Sequence, residues 1–160
     1  MNQAANPFRI VEDDLTGSAI QALLERHAQG MLEASPPNTC HFFDLAALRD
    51  PAVTVWSLWE GDALAGCGAL HQIEAQHGEI KAMRTADAFL GRGVGRCLLR
   101  HIVDVAQQRG YERISLETGN TPPFAAAQRL YRSEGFVECG PFGSYDGGDP
   151  DFNRYFTRPL

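Results

Sequence analysis

Three glycines at alternate positions, Gly91, Gly93 and Gly95, lie where an apolar-periodic helix begins. Glycine has no Cβ atom, so successive backbone N–H groups can face one anion, and the partial positive charge of a helix N-terminus adds to that attraction. Arg92 and Arg96 place cationic side chains in the same turn. The pattern predicts a site for a pyrophosphate.

Two familiar phosphate-binding loops do not fit this spacing. The Walker loop requires G-x-x-x-x-G-K-[ST], which no window of the turn supplies. The dinucleotide-binding pattern G-x-G-x-x-G, begun at Gly91, requires glycine where Arg96 stands. The pattern x-x-G-x-G after Leu90 remains, with an ordinary strand-to-helix turn as the alternative interpretation.

The elements that must position this turn follow from hydrophobic periodicity and from Gly and Pro breaks. The helix Thr16 to Glu33 has an apolar stripe that includes His27. Further helices are predicted over 42–51, from the glycine turn to Gly110, and over 124–134, and strands over 8–11, 52–60, 63–74, 78–86, 113–117, 136–139 and 154–160. Successive strands followed by β-α-β-α-β predict a mixed α/β fold whose sheet has helices on both faces.

Composition limits the class of protein. A chain of 160 residues with 44% hydrophobic content is predicted to form one domain, 1–160. The net charge of −6 argues against nucleic acid as a partner and favours cationic substrates. No apolar run approaches the ~18 residues of a membrane span. Four cysteines without C-x-x-C spacing, and a beginning without a signal-peptide pattern, predict a cytoplasmic protein with free thiols.

No metal site is expected. His71 and His77 flank a predicted hairpin turn, and Cys97 and His101 lie one helical turn apart. Each pair is half of a metal site at most, because no third or fourth ligand follows at a suitable spacing.

Two longer motifs carry a family resemblance. The segment "GEIKAMRTADAFLGRGVGRCLLRHI", 78–102, resembles the acetyl-CoA-binding motif of the GCN5-related N-acetyltransferase (GNAT) superfamily. The segment "AAAQRLYRSEGF", 125–136, is similar to a second signature of that superfamily, A-x-x-L-Y-x-x-x-G-F. The two motifs occur in the superfamily's order with a buried strand between them, and the chain looks most like the small bacterial YsnE-like acetyltransferases.

The resemblance implies the GNAT fold and acetyl-CoA as cosubstrate. In that fold a mixed, mostly antiparallel sheet of six to seven strands carries about four helices on both faces and splays between strands 4 and 5. Where neighbouring parallel strands separate, their backbone groups need new partners, and the amides of pantetheine can supply them. A backbone N–H near Met83 could also polarise the acetyl carbonyl. The predicted cofactor-binding residues are Met83, Arg84, Thr85, Gly91, Arg92, Gly93, Val94, Gly95, Arg96 and Asn120.

Two positions depart from the superfamily pattern. Leu90 stands where the loop usually begins with Arg or Gln, so the pyrophosphate would depend on backbone N–H groups together with Arg92 and Arg96. Phe124 stands where many members have Asn, which leaves Asn120 as a substitute.

Acetyl transfer to an amine needs a proton acceptor for the amine and a proton donor for the departing thiolate. The resemblance implies Tyr131 as the donor. It also implies Glu79 as the base, because its spacing to Leu90 matches the histone-acetyltransferase branch, and strand alternation places it on the face of Lys81 and Met83. Glu117, at the end of its strand, is an equal candidate. Ion pairs of these carboxylates, or deprotonation through ordered water, are the alternatives.

The sequence therefore predicts an N-acetyltransferase in which a small-molecule amine attacks the thioester directly in a ternary complex. Neither Cys67 nor Cys97 has a His and a further base in a recognisable catalytic arrangement, which disfavours a cysteine acyl-enzyme. Phe43 and Tyr145 are predicted walls of the substrate site, and a monomer or homodimer is expected. The alternatives are a non-catalytic acyl-CoA sensor of the same fold and a nucleotide-binding regulator.

Overall fold

The computed structural model describes residues 6–36 and 45–160, which contain seven strands and four α-helices. The strands are β1 Phe8–Glu12, β2 Val53–Glu60, β3 Ala63–Glu74, β4 His77–Thr85, β5 Arg113–Thr118, β6 Val137–Cys139 and β7 Arg154–Pro159. The helices are α1 Ser18–Ala34, α2 Leu45–Leu48, α3 Val94–Gln108 and α4 Ala125–Ser133. Short 3₁₀ turns precede α3 and α4, at Asp87–Phe89 and Pro122–Phe124.

The strands form one sheet in the order β1-β2-β3-β4-β5-β7-β6. Neighbouring strands are antiparallel except for β4 and β5, which are parallel. The expected mixed, mostly antiparallel sheet is thus confirmed, with seven strands.

Side-chain alternation divides the core between the two faces of the sheet. Trp56 and Leu70 pack in one cluster with the buried side of α3, and Tyr131 of α4 belongs to the same cluster. Val55 and Ala69, one position away in each strand, pack in a second cluster with α1 and α2. Helices therefore cover both faces, as the alternation of apolar residues predicts.

Two glycines of β3 allow α3 to approach the sheet closely. A Cβ atom on Gly66 would lie 2.6 Å from Cγ1 of Val94, and one on Gly68 would lie 2.9 Å from Cδ1 of Ile102. No real Cβ contact is that short, so a larger residue at either position would push α3 outwards. This close packing fixes where α3 begins, and therefore where the glycine turn lies.

A β-bulge in β4 changes which side chains share a face. Ala69 pairs with Lys81 but Cys67 pairs with Arg84, so β4 has one residue more than β3 between these pairs. Ala82, inside the bulge, has a φ of +53°. Met83 consequently packs with the α3 cluster. The prediction that Met83 shares a face of β4 with Glu79 assumed strict alternation of side chains along the strand. It is wrong, because the bulge interrupts the alternation after Lys81.

The parallel strands β4 and β5 separate half-way along their length. Their pairing runs from His77 and Arg113 to Ile80 and Leu116 and ends there. Beyond that point β4 continues to Thr85 and β5 to Thr118 without pairing to each other. The splay predicted between the fourth and fifth strands is confirmed, and it opens a gap in the middle of the sheet.

The remaining differences from the sequence prediction are local. Of the helix predicted over 42–51, the described part is one turn, Leu45–Leu48. Phe43 lies outside the described residues. Within the part of the chain that the structure covers, no helix has the length and apolar character needed to cross a membrane.

Candidate active site

The larger of two adjoining cavities is a groove of about 650 Å³. It runs between α1 and α4 and includes the end of β4 and the glycine turn. Its lining includes Met83, Arg84, Thr85, Gly91, Gly93, Gly95, Arg96 and Tyr131, so most of the predicted cofactor-binding residues lie along one surface.

The glycine turn has the backbone geometry of an anion site. Gly91 and Gly93 have φ of +76° and +81°, a region that L side chains rarely adopt. Among the described residues, no side chain caps the N-terminus of α3, and the first turn of this helix has no acidic residue. The N–H groups at the start of α3 are therefore available to an anion, and the helix dipole favours one there.

Gly95 brings α4 close to the turn. A Cβ atom there would lie 3.3 Å from Cδ2 of Leu130 and 3.8 Å from Oγ1 of Thr85. Val94 is buried in the core, so only its backbone can contribute to the turn. The glycine thus keeps the end of the groove open between β4 and α4.

The two arginines of the turn point in different directions. Arg92 pairs with Glu60 of β2 at 2.5 Å and lies over the rings of Phe8 and Phe89. It is not among the residues that line the groove, because the carboxylate of Glu60 holds the guanidinium towards β2, and its contact with the phosphates stays a prediction. Arg96 does line the groove, where it donates to Glu134 and, at 3.1 Å, to Ser133.

The helix α1 contributes groove residues that sequence reasoning missed. Arg26 lines the groove beside Arg84 of β4, and both lie near Asp87, at 3.3 and 3.9 Å. A Cβ atom on Gly30 would lie within 3.0 Å of both guanidinium groups. A glycine inside an amphipathic helix was the sequence signal that something packs closely against that helix.

Asn120 lies outside the two cavities. It is exposed and accepts a weak hydrogen bond of 3.4 Å from Gln128. Its role in cofactor binding stays a prediction. Phe124 lines both cavities instead and packs edge-on against Phe152.

The second cavity, of about 100 Å³, lies where β4 and β5 part. Glu79, Lys81 and Glu117 line it together with Tyr145 from the loop before β7, so it brings together both carboxylates named from the sequence. Glu79 is 4% exposed. Its Oε2 accepts a hydrogen bond of 2.5 Å from Tyr145, and its Oε1 accepts one of 3.3 Å from Lys81.

Aromatic rings pack around Tyr145, the residue that donates to Glu79. The ring of Tyr145 packs edge-on against Phe142 and at a tilt against Tyr155, with ring centroids 5.3 and 5.6 Å apart. Burial and the neighbouring Glu79 raise the pKa of Tyr145, so the phenol stays protonated and donates to the carboxylate. Phe142 and Tyr155 were not predicted, because only the folded loop brings them to Tyr145.

Tyr131 lies between the two cavities and lines both. Its ring packs against Phe136 and Phe156 in the core. Burial raises the pKa of its phenol to about 12, because the phenolate would lose its hydration there. The group is therefore a neutral O–H donor at physiological pH.

Comparison with known proteins agrees with this architecture. Residues 18–136 match the acetyltransferase (GNAT) family. The chain is 51% identical to the uncharacterized N-acetyltransferase YedL of Escherichia coli, over 86% of this chain and 87% of YedL, and 50% identical to the uncharacterized N-acetyltransferase YsnE of Bacillus subtilis, over 92% and 97%. The crystal structure of a GNAT family acetyltransferase from Elizabethkingia anophelis with acetyl-CoA bound has the same fold, with a TM-score of 0.67 at 17% identity over 97% and 99% of the two chains.

The chain belongs to the acetyltransferase (GNAT) family. The resemblance seen in the two sequence motifs is thereby confirmed, and the chain is an N-acetyltransferase. In this GNAT protein no cluster of three or more His, Cys, Asp or Glu side chains that could hold a metal occurs within the described ranges 6–36 and 45–160.

Proposed function

We propose that this protein transfers the acetyl group of acetyl-CoA to the primary amine of a small molecule, by direct attack in a ternary complex. One observation carries the proposal: a single groove is lined both by the glycine turn and by Tyr131, and it adjoins the cavity where β4 and β5 have separated. An extended cosubstrate with a diphosphate and a thioester fits such a groove.

The cosubstrate would bind along this groove mainly through backbone groups. Its pyrophosphate would accept hydrogen bonds from the N–H groups that follow Gly91 and Gly93, with Arg96 nearby. Its pantetheine amides would pair with β4 from Met83 to Thr85, where that strand has lost its parallel neighbour. Leu90 is exposed and has no side-chain hydrogen-bond donor, so the affinity for the pyrophosphate would depend mainly on backbone N–H groups.

The two adjoining cavities support a ternary complex. The acetyl group would lie beside Tyr131, and the amine would enter from the smaller cavity. Among the described residues, no cysteine lines either cavity, and Cys67 is buried with its thiol directed to the carbonyl of Ala82. Direct attack on the thioester therefore needs no acyl-enzyme.

The smaller cavity supports an amine as acceptor. Glu79 and Glu117 place carboxylates along its wall, which favours a cationic group before transfer. After the amine is deprotonated and attacks, Tyr131 would donate its proton to the CoA thiolate. The roles of Glu79 and Glu117 as bases stay predictions, as do the wall function of Tyr145 and that of Phe43.

The proposal also covers the domain organisation, the partners and the location of the protein. We propose that residues 1–160 act as one N-acetyltransferase domain without a metal, nucleic acid or membrane partner, as a monomer or homodimer. The free thiols Cys67, Cys97 and Cys139 support a reducing, cytoplasmic location.

The test combines binding with turnover. Calorimetry should detect saturable binding of CoA and acetyl-CoA to the wild-type protein, and no comparable binding of ATP or NAD. Free thiol should then be released from acetyl-CoA in the presence of a panel of L-amino acids, spermidine and kanamycin. Binding without thiol release would identify the protein as an acyl-CoA sensor. Tight ATP or NAD binding without CoA binding would identify a nucleotide-binding regulator.

A further inference from the structure

The two cavities meet at a wall whose polar groups are few. Six residues line both cavities: His27, Met31, Met83, Phe124, Ala127 and Tyr131. Four of these side chains are apolar. Among the described residues, the only side chains at this junction that can exchange a proton are the imidazole of His27 on α1 and the phenol of Tyr131 on α4.

His27 is a buried histidine whose ring has an unpartnered nitrogen within the part of the chain that the structure describes. The residue is 9% exposed, on the face of α1 that packs on the sheet. Its Nδ1 is enclosed by protein and has no hydrogen-bond partner among the described residues. Since Nδ1 is enclosed, Nε2 is the ring nitrogen that can face the cavities.

We propose that His27 is a catalytic residue of the acetyl transfer, and that its Nε2 accepts the proton of the attacking amine. The proposal rests on the function proposed above and completes it, because it pairs a proton acceptor on α1 with the proton donor Tyr131 on α4. Both groups reach the place where the two cavities join, which is where amine and thioester must meet.

The carboxylates of the smaller cavity are less suited to this step. Glu79 and Glu117 line that cavity but not the groove that would hold the thioester. Both oxygens of Glu79 already accept hydrogen bonds, from Tyr145 and Lys81. These carboxylates can attract and orient the amine, whereas His27 lies at the point of attack.

During acetyl transfer one proton moves from the amine to His27 and another from Tyr131 to the CoA sulfur. The amine nitrogen forms a bond to the acetyl carbonyl carbon, and its excess proton moves to Nε2 of His27. The bond between that carbon and the CoA sulfur breaks, and the thiolate takes the proton of the Tyr131 hydroxyl. The imidazolium then returns a proton to the tyrosinate through solvent, and amide and free thiol leave.

The electrostatic surroundings keep the imidazole in its neutral form, which is the form that has a lone pair for a proton. Burial, and the positive charge of Arg84, lower the pKa of His27 to about 4, so the ring is neutral at physiological pH. The charged or titratable groups that line the two cavities besides His27 are Arg26 and Glu33 on α1, Glu79, Lys81 and Arg84 on β4, Asp87 in the turn before α3, Arg96 on α3, Glu117 on β5, Tyr131 on α4 and Tyr145 in the loop before β7. The neutral amine attacks, its nitrogen then carries the excess proton and a positive charge, and this acidic nitrogen gives the proton to the neutral ring.

His101 of α3 offers a matched control. It too is a helical histidine with one buried ring nitrogen, Nε2, that has no hydrogen-bond partner among the described residues. It packs edge-on against Trp56, with centroids 5.3 Å apart, and lines neither cavity. His101→Gln should therefore leave acetyl transfer unchanged.

The experiment measures thiol release from acetyl-CoA with the best amine of the panel above, and calorimetric CoA affinity, for wild type, His27→Gln, His27→Ala and His101→Gln. We expect His27→Gln to lower kcat by about 10²-fold or more while the CoA affinity stays within about threefold. We expect added imidazole to restore part of the activity of His27→Ala. Thermal unfolding of each variant checks that it is folded.

Each of the other possible results contradicts either the role of His27 or the proposed function. If wild type transfers acetyl groups and folded His27→Gln retains its kcat, His27 is not the proton acceptor. If His27→Gln loses CoA affinity but not kcat, or if imidazole rescues nothing, His27 has only a binding or structural role. If wild type binds acetyl-CoA but transfers to no amine, the proposed function itself falls, and the role of His27 falls with it.

Discussion

The phenol of Tyr145 donates a hydrogen bond of 2.5 Å to Oε2 of Glu79, although the two residues lie 66 positions apart in the chain. Lys81 completes a triangle, since its Nζ lies 3.3 Å from Oε1 of Glu79 and 2.9 Å from the phenol oxygen. The loop before β7 is thereby attached to β4 at the smaller cavity. A buried ion pair of this kind is sensitive to the loss of either partner.

The first prediction concerns the free energy of unfolding. Glu79→Leu leaves the ammonium of Lys81, which is 9% exposed, without its charged partner Glu79, so we expect a loss of about 3 kcal/mol or more. Lys81→Met combined with Glu79→Leu removes both charges and should cost much less than the sum of the single substitutions. Urea unfolding of the four proteins gives this double-mutant cycle. Additive losses would mean that the two charges do not stabilise each other.

The second prediction separates backbone strain from cofactor binding in the glycine turn. Gly93→Ala places a side chain at φ +81°, and Gly61→Ala places one at φ +58° in the β2–β3 hairpin, both without steric contacts within 4 Å. Each should lower the free energy of unfolding by about 1 kcal/mol. Only Gly93→Ala should weaken CoA binding in calorimetry, by about tenfold or more, because it disturbs N–H groups that face a charged ligand. Equal CoA affinities of the two variants would contradict a phosphate site at this turn.

The fold could be predicted further from the sequence than the site could. Strand alternation, the helical stripe of α3 and the glycine turn are local patterns, and they predicted the mixed sheet and its two covered faces, whereas the splay was implied by the family resemblance. The bulge at Ala82 was not visible, because a bulge is defined by the register with a partner strand, which here is β3. The position of Arg92 was likewise decided by Glu60, 32 residues away.

The position of His27 beside the two cavities could not be predicted from the sequence either. In the sequence it is one member of an apolar helical stripe, and that pattern is typical of a core residue. The structure does bury it, but against two cavities rather than against apolar side chains alone. Whether a buried polar residue faces the core or a cavity depends on the packing of several elements, which periodicity along one helix cannot reveal.

The third prediction concerns Tyr131. Tyr131→Phe removes the hydroxyl but keeps the ring that packs on Phe136 and Phe156, so the fold and the affinity for CoA should be unchanged. Loss of the proton donor should lower kcat for thiol release by about 10²-fold. Tyr111→Phe is the control, since Tyr111 is a buried core tyrosine that lines neither cavity, and it should keep full activity. Equal kcat values for the two variants would leave thiolate protonation to water.

The fourth prediction links His27 to stability in acid. Its pKa is about 4 in the folded protein and near 6.5 when the chain is unfolded, so the unfolded state binds the extra proton first. The stability that follows from a neutral His27 is therefore complete above pH 6.5 and is lost as the pH falls towards 4. The shift corresponds to about 3 kcal/mol, since each pKa unit is worth about 1.4 kcal/mol.

His27→Gln removes this proton-linked loss, because glutamine does not titrate. Between pH 6.5 and 4 the unfolding free energy of wild type should therefore fall by about 3 kcal/mol more than that of the variant, as measured by urea unfolding at each pH. Carboxylates that titrate in the same range contribute equally to both proteins and cancel in the difference. Parallel curves for the two proteins would contradict the lowered pKa of a buried, neutral imidazole at this position.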